Sequence, residues 1–266
     1  MNEEKQKEYL EFAKRVAIKS GKIMKEYFYH QNDYSYKEDR TIVTEVDKKI
    51  NRLVIEEVKK RFPTHAIDGE EEQSGKSKYT WVCDPIDGTA MYQRHIPTSV
   101  FSLALVVDGI PIVGVVYDPY LHDLYYASKG QGAYQNEKPI HVNNIQLDDK
   151  ESLVQCDMWP TAEYNLYKIQ NEIGKRAYTV AIGSTIRAGV GVAKGDFSLV
   201  LFPGTKGKNC DIAALKIIVE EAGGKVSNLF GEEERYDQDI HGAIISNAII
   251  HPEVVEIVKK YIMNEK

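Results

Sequence analysis

Hydrophobic and polar positions change their period several times along the chain. From residue 4 to 30 the apolar positions Leu10, Ala13, Ala17, Met24 and Phe28 recur at helical spacing with Lys and Glu between them. That pattern predicts an amphipathic helix with one buried stripe. "TEVDKKINRLVIEEVKKRFP" predicts a second, with Val46, Ile50, Leu53, Val58 and Phe62 on its inner face and Pro63 as its stop. After it the period shortens. "YTWVCDPI" is short, aromatic and β-branched and reads as a buried strand. "SVFSLALVVDGIPIVGVVYDPYLHDLYYASKGQGAYQN" reads as an antiparallel meander, with Asp108-Gly109 as a hairpin turn.

The second half alternates. "TAEYNLYKIQNEIGK" predicts a helix, "AYTVAIG" a strand, "STIRAGVGVAKG" a helix opened by a Ser cap, and "DFSLVLF" a strand. "DIAALKIIVEEAGG" predicts a helix with Asp211 at its start and Gly223-Gly224 at its stop, followed by the strand "GAIISN" and the helix "HPEVVEIVKKYI". Blocks of helix and strand followed by alternation predict a layered α/β architecture. No Pro/Gly/Ser-rich linker divides the chain. Two tightly packed subdomains are expected, residues 1–150 and 151–266.

Composition narrows the function classes. The chain has 266 residues, 42% hydrophobic and 28% charged, with a formal net charge of -6. That balance argues against a general nucleic-acid binder, which carries a basic stripe. The segment "MNEEKQKEYL" has no apolar signal core, and no apolar run approaches a membrane span. Cys83, Cys156 and Cys210 lie far apart without metal-ligand spacing and fit free thiols in a reducing cytoplasm.

The candidate chemistry lies in carboxylates placed beside apolar runs. "AIDGEEEQ" carries Glu70 and Glu71, "WVCDPIDGTA" Asp84 and Asp87, "GKNCDIAAL" Asp211, and "TIVTEVDKKI" Asp47. An unpaired buried carboxylate is strongly unfavourable, so converging ones call for cations. Oxygen donors without a nearby His/Cys set favour Mg²⁺ or Mn²⁺ over Zn²⁺. A turn after Pro85 is expected to bring Asp84 and Asp87 together, with the Ile86 carbonyl free as a further hard ligand. Gly88-Thr89 then opens the short helix "TAMYQRH", whose N–H groups suit an anion. Each signal alone has an ordinary structural reading: a turn, a solvated charge run or a helix cap. Their combination and order point to a metal-assisted phosphate site.

With those residues in view, the sequence resembles the inositol monophosphatase family of metal-dependent, lithium-sensitive phosphatases. The matching elements are "VTEVD" at 43–47, "GEE" at 69–71, "DPIDGT" at 84–89, "GST" at 183–185 and "CDIAAL…EAGG" at 210–224. The resemblance spans nearly the whole chain in the family's order and implies a layered α/β/α/β/α sandwich. It implies a first metal held by Glu70, Asp84 and the Ile86 carbonyl, and a second by Asp84, Asp87 and Asp211. A third, weaker metal would sit near Glu70, with Asp47 close through water. Thr89 and Asp47 would orient and deprotonate the attacking water, with Glu71 in support. Gly88 and Thr89 would grip the phosphate, with Gly183, Ser184 and Asp211 also on the substrate side. The implied reaction is hydrolysis of a small polar phosphate ester such as inositol 1-phosphate by metal-activated water. The family also implies a homodimer.

Four positions depart from the family pattern. Met91 stands where Asn is usual, an extra residue lies between Thr89 and Pro97, and Cys210 precedes Asp211 where Trp is usual. Gly204 stands seven residues before Asp211, where inositol-specific members carry a Glu that grips ring hydroxyls. This last departure predicts broad or shifted specificity. Histidinol phosphate, a sugar bisphosphate such as fructose 1,6-bisphosphate and a nucleotide 3′-phosphate are alternative substrates, and Lys206 and Lys208 could bind a second phosphate. A non-catalytic regulator binding a protein or RNA partner is a rival of another class, and the retained carboxylates speak against it.

Overall fold

The computed structural model describes residues 2–30, 34–36, 42–159, 162–205 and 209–262. Helix α1 (Glu3–Tyr27) is followed by the small antiparallel pair β1 (Tyr34–Tyr36) and β2 (Ile42–Thr44), then helix α2 (Glu45–Arg61). Strands β3 (Ala66–Gly69), β4 (Gln73–Ser74) and β5 (Tyr79–Asp87) lead to the one-turn helix α3 (Thr89–Tyr92). The meander is β6 (Val100–Val107), β7 (Ile110–Asp118), β8 (Asp123–Ser128), β9 (Ala133–Gln135) and β10 (Lys138–Pro139). The rest alternates: β11 (Leu153–Cys156), α4 (Tyr167–Ile173), β12 (Tyr178–Val180), α5 (Thr185–Ala193), β13 (Leu199–Phe202), α6 (Ala213–Glu221), β14 (Gly224–Ser227), β15 (Ala243–Asn247) and α7 (His251–Ile262).

Two large sheets result. The eight-stranded sheet has the order β10-β9-β8-β7-β6-β5-β3-β4, and the five-stranded sheet β12-β11-β13-β15-β14. Side-chain alternation along the strands assigns the layers. Trp81, Cys83, Leu103, Leu105 and Val115 share one core with α1 and α2. Val82, Ala104, Val106 and Val116, on the opposite face, pack with α5, α6 and the inner side chains Val200, Phe202 and Ile245 of the smaller sheet. Leu199, Leu201 and Ile244 face outward onto α4 and α7. The layers are therefore α/β/α/β/α, as the resemblance implies.

Several boundaries differ from the sequence reading. The buried face of α2 is Val46, Asp47, Ile50, Asn51, Val54, Ile55 and Val58, and Leu53 is only half-buried. Two polar residues on that face are the first sign that the helix serves a site as well as a core. The helix expected over 161–175 begins only at Tyr167. The N–H groups of Glu163 and Tyr164 instead donate to the carbonyls of Gly204 and Pro203, at 3.0 Å each. Asp108 and Gly109 both have positive φ, 51° and 86°, as the tight turn between β6 and β7 requires.

Candidate active site

Asp84 and Asp87 converge through a bulge and not through a turn. Strand β5 runs on to Asp87, and its pairing with β6 shifts register between Asp84, opposite Ser102, and Asp87, opposite Val100. Three residue steps on β5 thus face two on β6, which swings Asp87 toward the side of Asp84. Asp84 is 2% exposed and Asp87 8% exposed. Asp211 joins them: carboxylate oxygens of Asp84, Asp87 and Asp211 lie within 4.8 Å of one another. Asp211 lies in a turn ahead of α6, whose N-cap is Ile212, so it is not the cap the sequence suggested. A carboxylate released from capping is available to the cluster.

Glu70 completes the group. Its backbone N–H donates to the Cys83 carbonyl at 3.0 Å, and its carboxyl makes a hydrogen bond with that of Asp84. Burial pushes the Asp84 pKa well above its ordinary value, and the charges of Glu70, Asp87 and Asp211 push it further. Burial also lifts Asp87 to about 7, although the Ser184 hydroxyl and the Ile186 N–H both donate to its Oδ2. An oxygen-only set whose acids resist ionising together fits a hard divalent cation such as Mg²⁺ or Mn²⁺.

Asp47 approaches from the first turn of α2. It closes a capping box with Thr44, whose backbone N–H donates to Asp47 Oδ2 at 2.8 Å. Asp47 is fully buried, and burial raises its pKa to about 7. Thr89 Oγ1 lies 3.4 Å from Asp47 Oδ1 and donates to the Ile86 carbonyl at 2.9 Å. The Ile86 carbonyl is therefore not free, as the sequence reading had it; one of its lone pairs already serves Thr89. Glu71 is held by its backbone N–H, which donates to Asn51 Oδ1 at 3.4 Å. Asn51 also donates to the Glu72 carbonyl at 3.0 Å, so α2 fixes the acidic loop as well as Asp47.

Gly88 (φ +83°) and Gly183 (φ +77°) close the other side. A Cβ on Gly88 would lie 2.9 Å from the Gly183 carbonyl, and one on Gly183 would lie 2.5 Å from Met91 Cγ. Both glycines are required by left-handed backbone and by close approach together. Ser184 then caps α5 by accepting from the Arg187 N–H at 3.1 Å, while its hydroxyl donates to Asp87. The sequence-predicted residues from β5, α2, α3, the loop after β3, the N-cap of α5 and the turn before α6 thus approach one another.

Sequence reasoning missed Asp157. It follows β11, is 9% exposed, and accepts from Gln155 Nε2 at 2.7 Å and Thr185 Oγ1 at 2.8 Å. Burial lifts its pKa to about 6, and the charge of Asp211 adds to that. The signal was present: "LVQCD" shares with "WVCD" a Cys-Asp ending on a strand-like run. Asn209 was missed too. It donates to Asp68 Oδ2 and to the Tyr236 carbonyl, both at 2.9 Å, and so anchors the turn that presents Asp211. Nor does the neighbourhood of Gly204 lack a carboxylate. A Cβ there would lie 3.1 Å from Glu163 Oε2. Lys206 and Lys208 lie outside the described residues.

Comparison with known proteins agrees with this geometry. A sequence model of the inositol monophosphatase family matches residues 5–263. A fructose-1,6-bisphosphatase/inositol-1-monophosphatase from Aquifex aeolicus is 35% identical over 269 residues, spanning 96% of this chain and 97% of that protein. Inositol monophosphatase 1 from Solanum lycopersicum is 32% identical over 237 residues, spanning 85% and 86%. Among solved structures, the Thermotoga maritima IMPase superposes with a TM-score of 0.87 at 30% identity, covering 97% of this chain and 99% of that one.

Proposed function

The chain belongs to the inositol monophosphatase family, and on that premise we propose that it is a Mg²⁺-dependent phosphomonoesterase acting on a small polar phosphate ester such as inositol 1-phosphate. The observation that carries the reading is the convergence of Asp84, Asp87 and Asp211 beside the Thr89–Asp47 pair. Glu70, Asp84, the Ile86 carbonyl, Asp87 and Asp211 would hold two ions, with Glu70 and Asp47 near a third, and Mn²⁺ would substitute. When bound, these ions supply charge neutralisation for the phosphate and lower the pKa of water toward neutrality.

The protein's own groups do the rest. The Thr89 hydroxyl orients the attacking water, and Asp47, whose Oδ1 lies 3.4 Å from that hydroxyl, takes the proton. Glu71 steadies that pair. Gly88 and Thr89 N–H groups grip the phosphate, with Gly183 and Ser184 behind them. Asp87 is held by Ser184 and Ile186 in the orientation the reaction needs.

Phosphate release from inositol 1-phosphate, histidinol phosphate, fructose 1,6-bisphosphate and adenosine 3′,5′-bisphosphate, with and without Mg²⁺ and Li⁺, tests the reading. Mg²⁺-dependent release that Li⁺ inhibits is expected. No release from any ester would favour the non-catalytic alternative. The family resemblance supports a homodimer, which light scattering checks. Cys83, Cys156 and Cys210 are buried and in no disulfide, which supports the cytoplasm, and fractionation checks it. No helix among the described residues is long and apolar enough to cross a membrane.

A further inference from the structure

Strands β11 and β13 are parallel neighbours, with Val154 opposite Leu199 and Cys156 opposite Leu201, so the chain leaves both at the same edge of the sheet. In open α/β sheets, ligands bind in the crevice beyond the carboxyl ends of parallel strands. Here that edge faces the acidic cluster. Asp157, the first residue past β11, accepts from Thr185 Oγ1 at 2.8 Å, and the neighbouring Ser184 hydroxyl donates to Asp87.

The stretch that starts at Ala162 lies against the end of β13. Two backbone hydrogen bonds, Glu163 N–H to the Gly204 carbonyl and Tyr164 N–H to the Pro203 carbonyl, hold it there at 3.0 Å each. They bring the Glu163 side chain onto Gly204. With φ +81°, and with an added Cβ 2.9 Å from the Gly242 N and 3.1 Å from Glu163 Oε2, position 204 has no room for a side chain. His241 Nδ1 contacts the other carboxylate oxygen, Oε1, at 2.7 Å. One oxygen is thus braced by His241 while the other lies beside Gly204, at the end of β13. The Glu163 side chain is 28% exposed, so it is partly desolvated yet reachable. On the same rim Trp159 packs against Phe202, ring centroids 5.7 Å apart, and its buried Nε1 has no hydrogen-bond partner among the described residues. A carboxylate acceptor suits a polyol better than an apolar group.

We propose that Glu163, braced by His241 and seated against side-chain-less Gly204, is a specificity-determining residue that accepts hydrogen bonds from hydroxyls on the organic part of the substrate. The assignment rests on the phosphatase reading, which puts the phosphate at the acidic cluster and the organic part beyond β11 and β13. A clamp for the segment is not what the His241 contact supplies, because the two backbone hydrogen bonds already fix it.

The test compares kcat/KM for inositol 1-phosphate with that for p-nitrophenyl phosphate, an ester whose organic part carries no hydroxyl, at saturating Mg²⁺. In Glu163→Ala the ratio of the two is expected to fall on the order of tenfold to a hundredfold, mostly through KM, as for a lost hydrogen bond to a charged acceptor. Glu163→Gln preserves volume and one acceptor oxygen; there the ratio is expected to fall about fivefold. An unchanged ratio in both variants, including a parallel loss on the two esters, would overturn the proposal. If Glu163→Ala does not fold, an unchanged ratio in Glu163→Gln overturns it alone. Wild-type protein that releases phosphate from neither ester would instead sink the phosphatase reading.

Discussion

Thr89 Oγ1 stands 3.4 Å from Asp47 Oδ1, linking the start of α3 to the first turn of α2 across the acidic cluster. Thr44 engages the other carboxylate oxygen, Oδ2, so Oδ1 is the oxygen that faces Thr89. The Thr89 hydroxyl has one proton and gives it to the Ile86 carbonyl, the shorter contact at 2.9 Å. A water entering between Thr89 and Asp47 meets an acceptor on each.

That relationship sets the first prediction. Thr89→Ala keeps the backbone and removes the hydroxyl. General-base assistance is typically worth about 10²–10⁴-fold, so kcat should fall by that order. Mg²⁺ affinity, read from the metal dependence of the rate, should change little. A collapse of metal affinity with kcat retained at saturation would make Thr89 structural.

Asp87→Asn should nearly abolish turnover at any Mg²⁺ concentration. The fold should persist, because an amide oxygen can still accept from Ser184 and from the Ile186 N–H. The metal-free variant should melt at or above the wild-type temperature, since one buried charge among like charges is gone. Near wild-type turnover would refute the ligand assignment.

The pH dependence of the metal-free protein follows from the raised acids. Asp47 and Asp87 rise from 3.8 to about 7 on folding. Between those values the folded chain binds more protons than the unfolded one, so this stabilisation is complete below 3.8 and is lost as pH rises through about 7. In EDTA, the melting temperature should therefore fall from about pH 5 to about pH 7 and level off above that, and saturating Mg²⁺ should remove most of the drop. A melting temperature that stays flat in EDTA would contradict the buried cluster.

His251 titrates in the opposite sense. Its ring contacts Ser246 Oγ at 2.8 Å and Ser227 Oγ at 3.0 Å, tying the first residue of α7 to β15 and β14. Burial lowers its pKa from 6.5 to about 4, and Lys225 and Lys216 add to the effect against an opposing Glu233. Stability from the neutral ring is present above 6.5 and is lost as pH falls toward 4, by about 3 kcal/mol in all. Urea unfolding of wild type and His251→Gln at about pH 7.5 and pH 5 should show the wild type losing more. Equal losses would mean the ring carries no such linkage.

Much of the fold could be read in the chain. Helix α7 and the strands β13 and β15 follow their apolar runs, because a run bounded by polar turns has one way to bury itself. The helix expected over 161–175 failed because the tertiary partners Pro203 and Gly204 took the N–H groups that a first turn would have left to solvent. Of the site, Asp84, Asp87 and Asp211 announced themselves by sitting where charge is costly. Asp157 did so equally, but a single acid after a strand does not say which other acids it will meet.

The sequence by itself determined the layers and the identity of the acids, since period and burial cost are local properties of the chain. Only the tertiary structure decided which acids share a centre. The bulge between Asp84 and Asp87 depends on the register against β6, and the turn that frees Asp211 is tied by Asn209 to Asp68, 141 positions away. It also decided that a carboxylate stands at Gly204. Glu163 reaches it because β11 and β13 are parallel neighbours, and strand order is set by how two faces pack, not by any pattern within one strand.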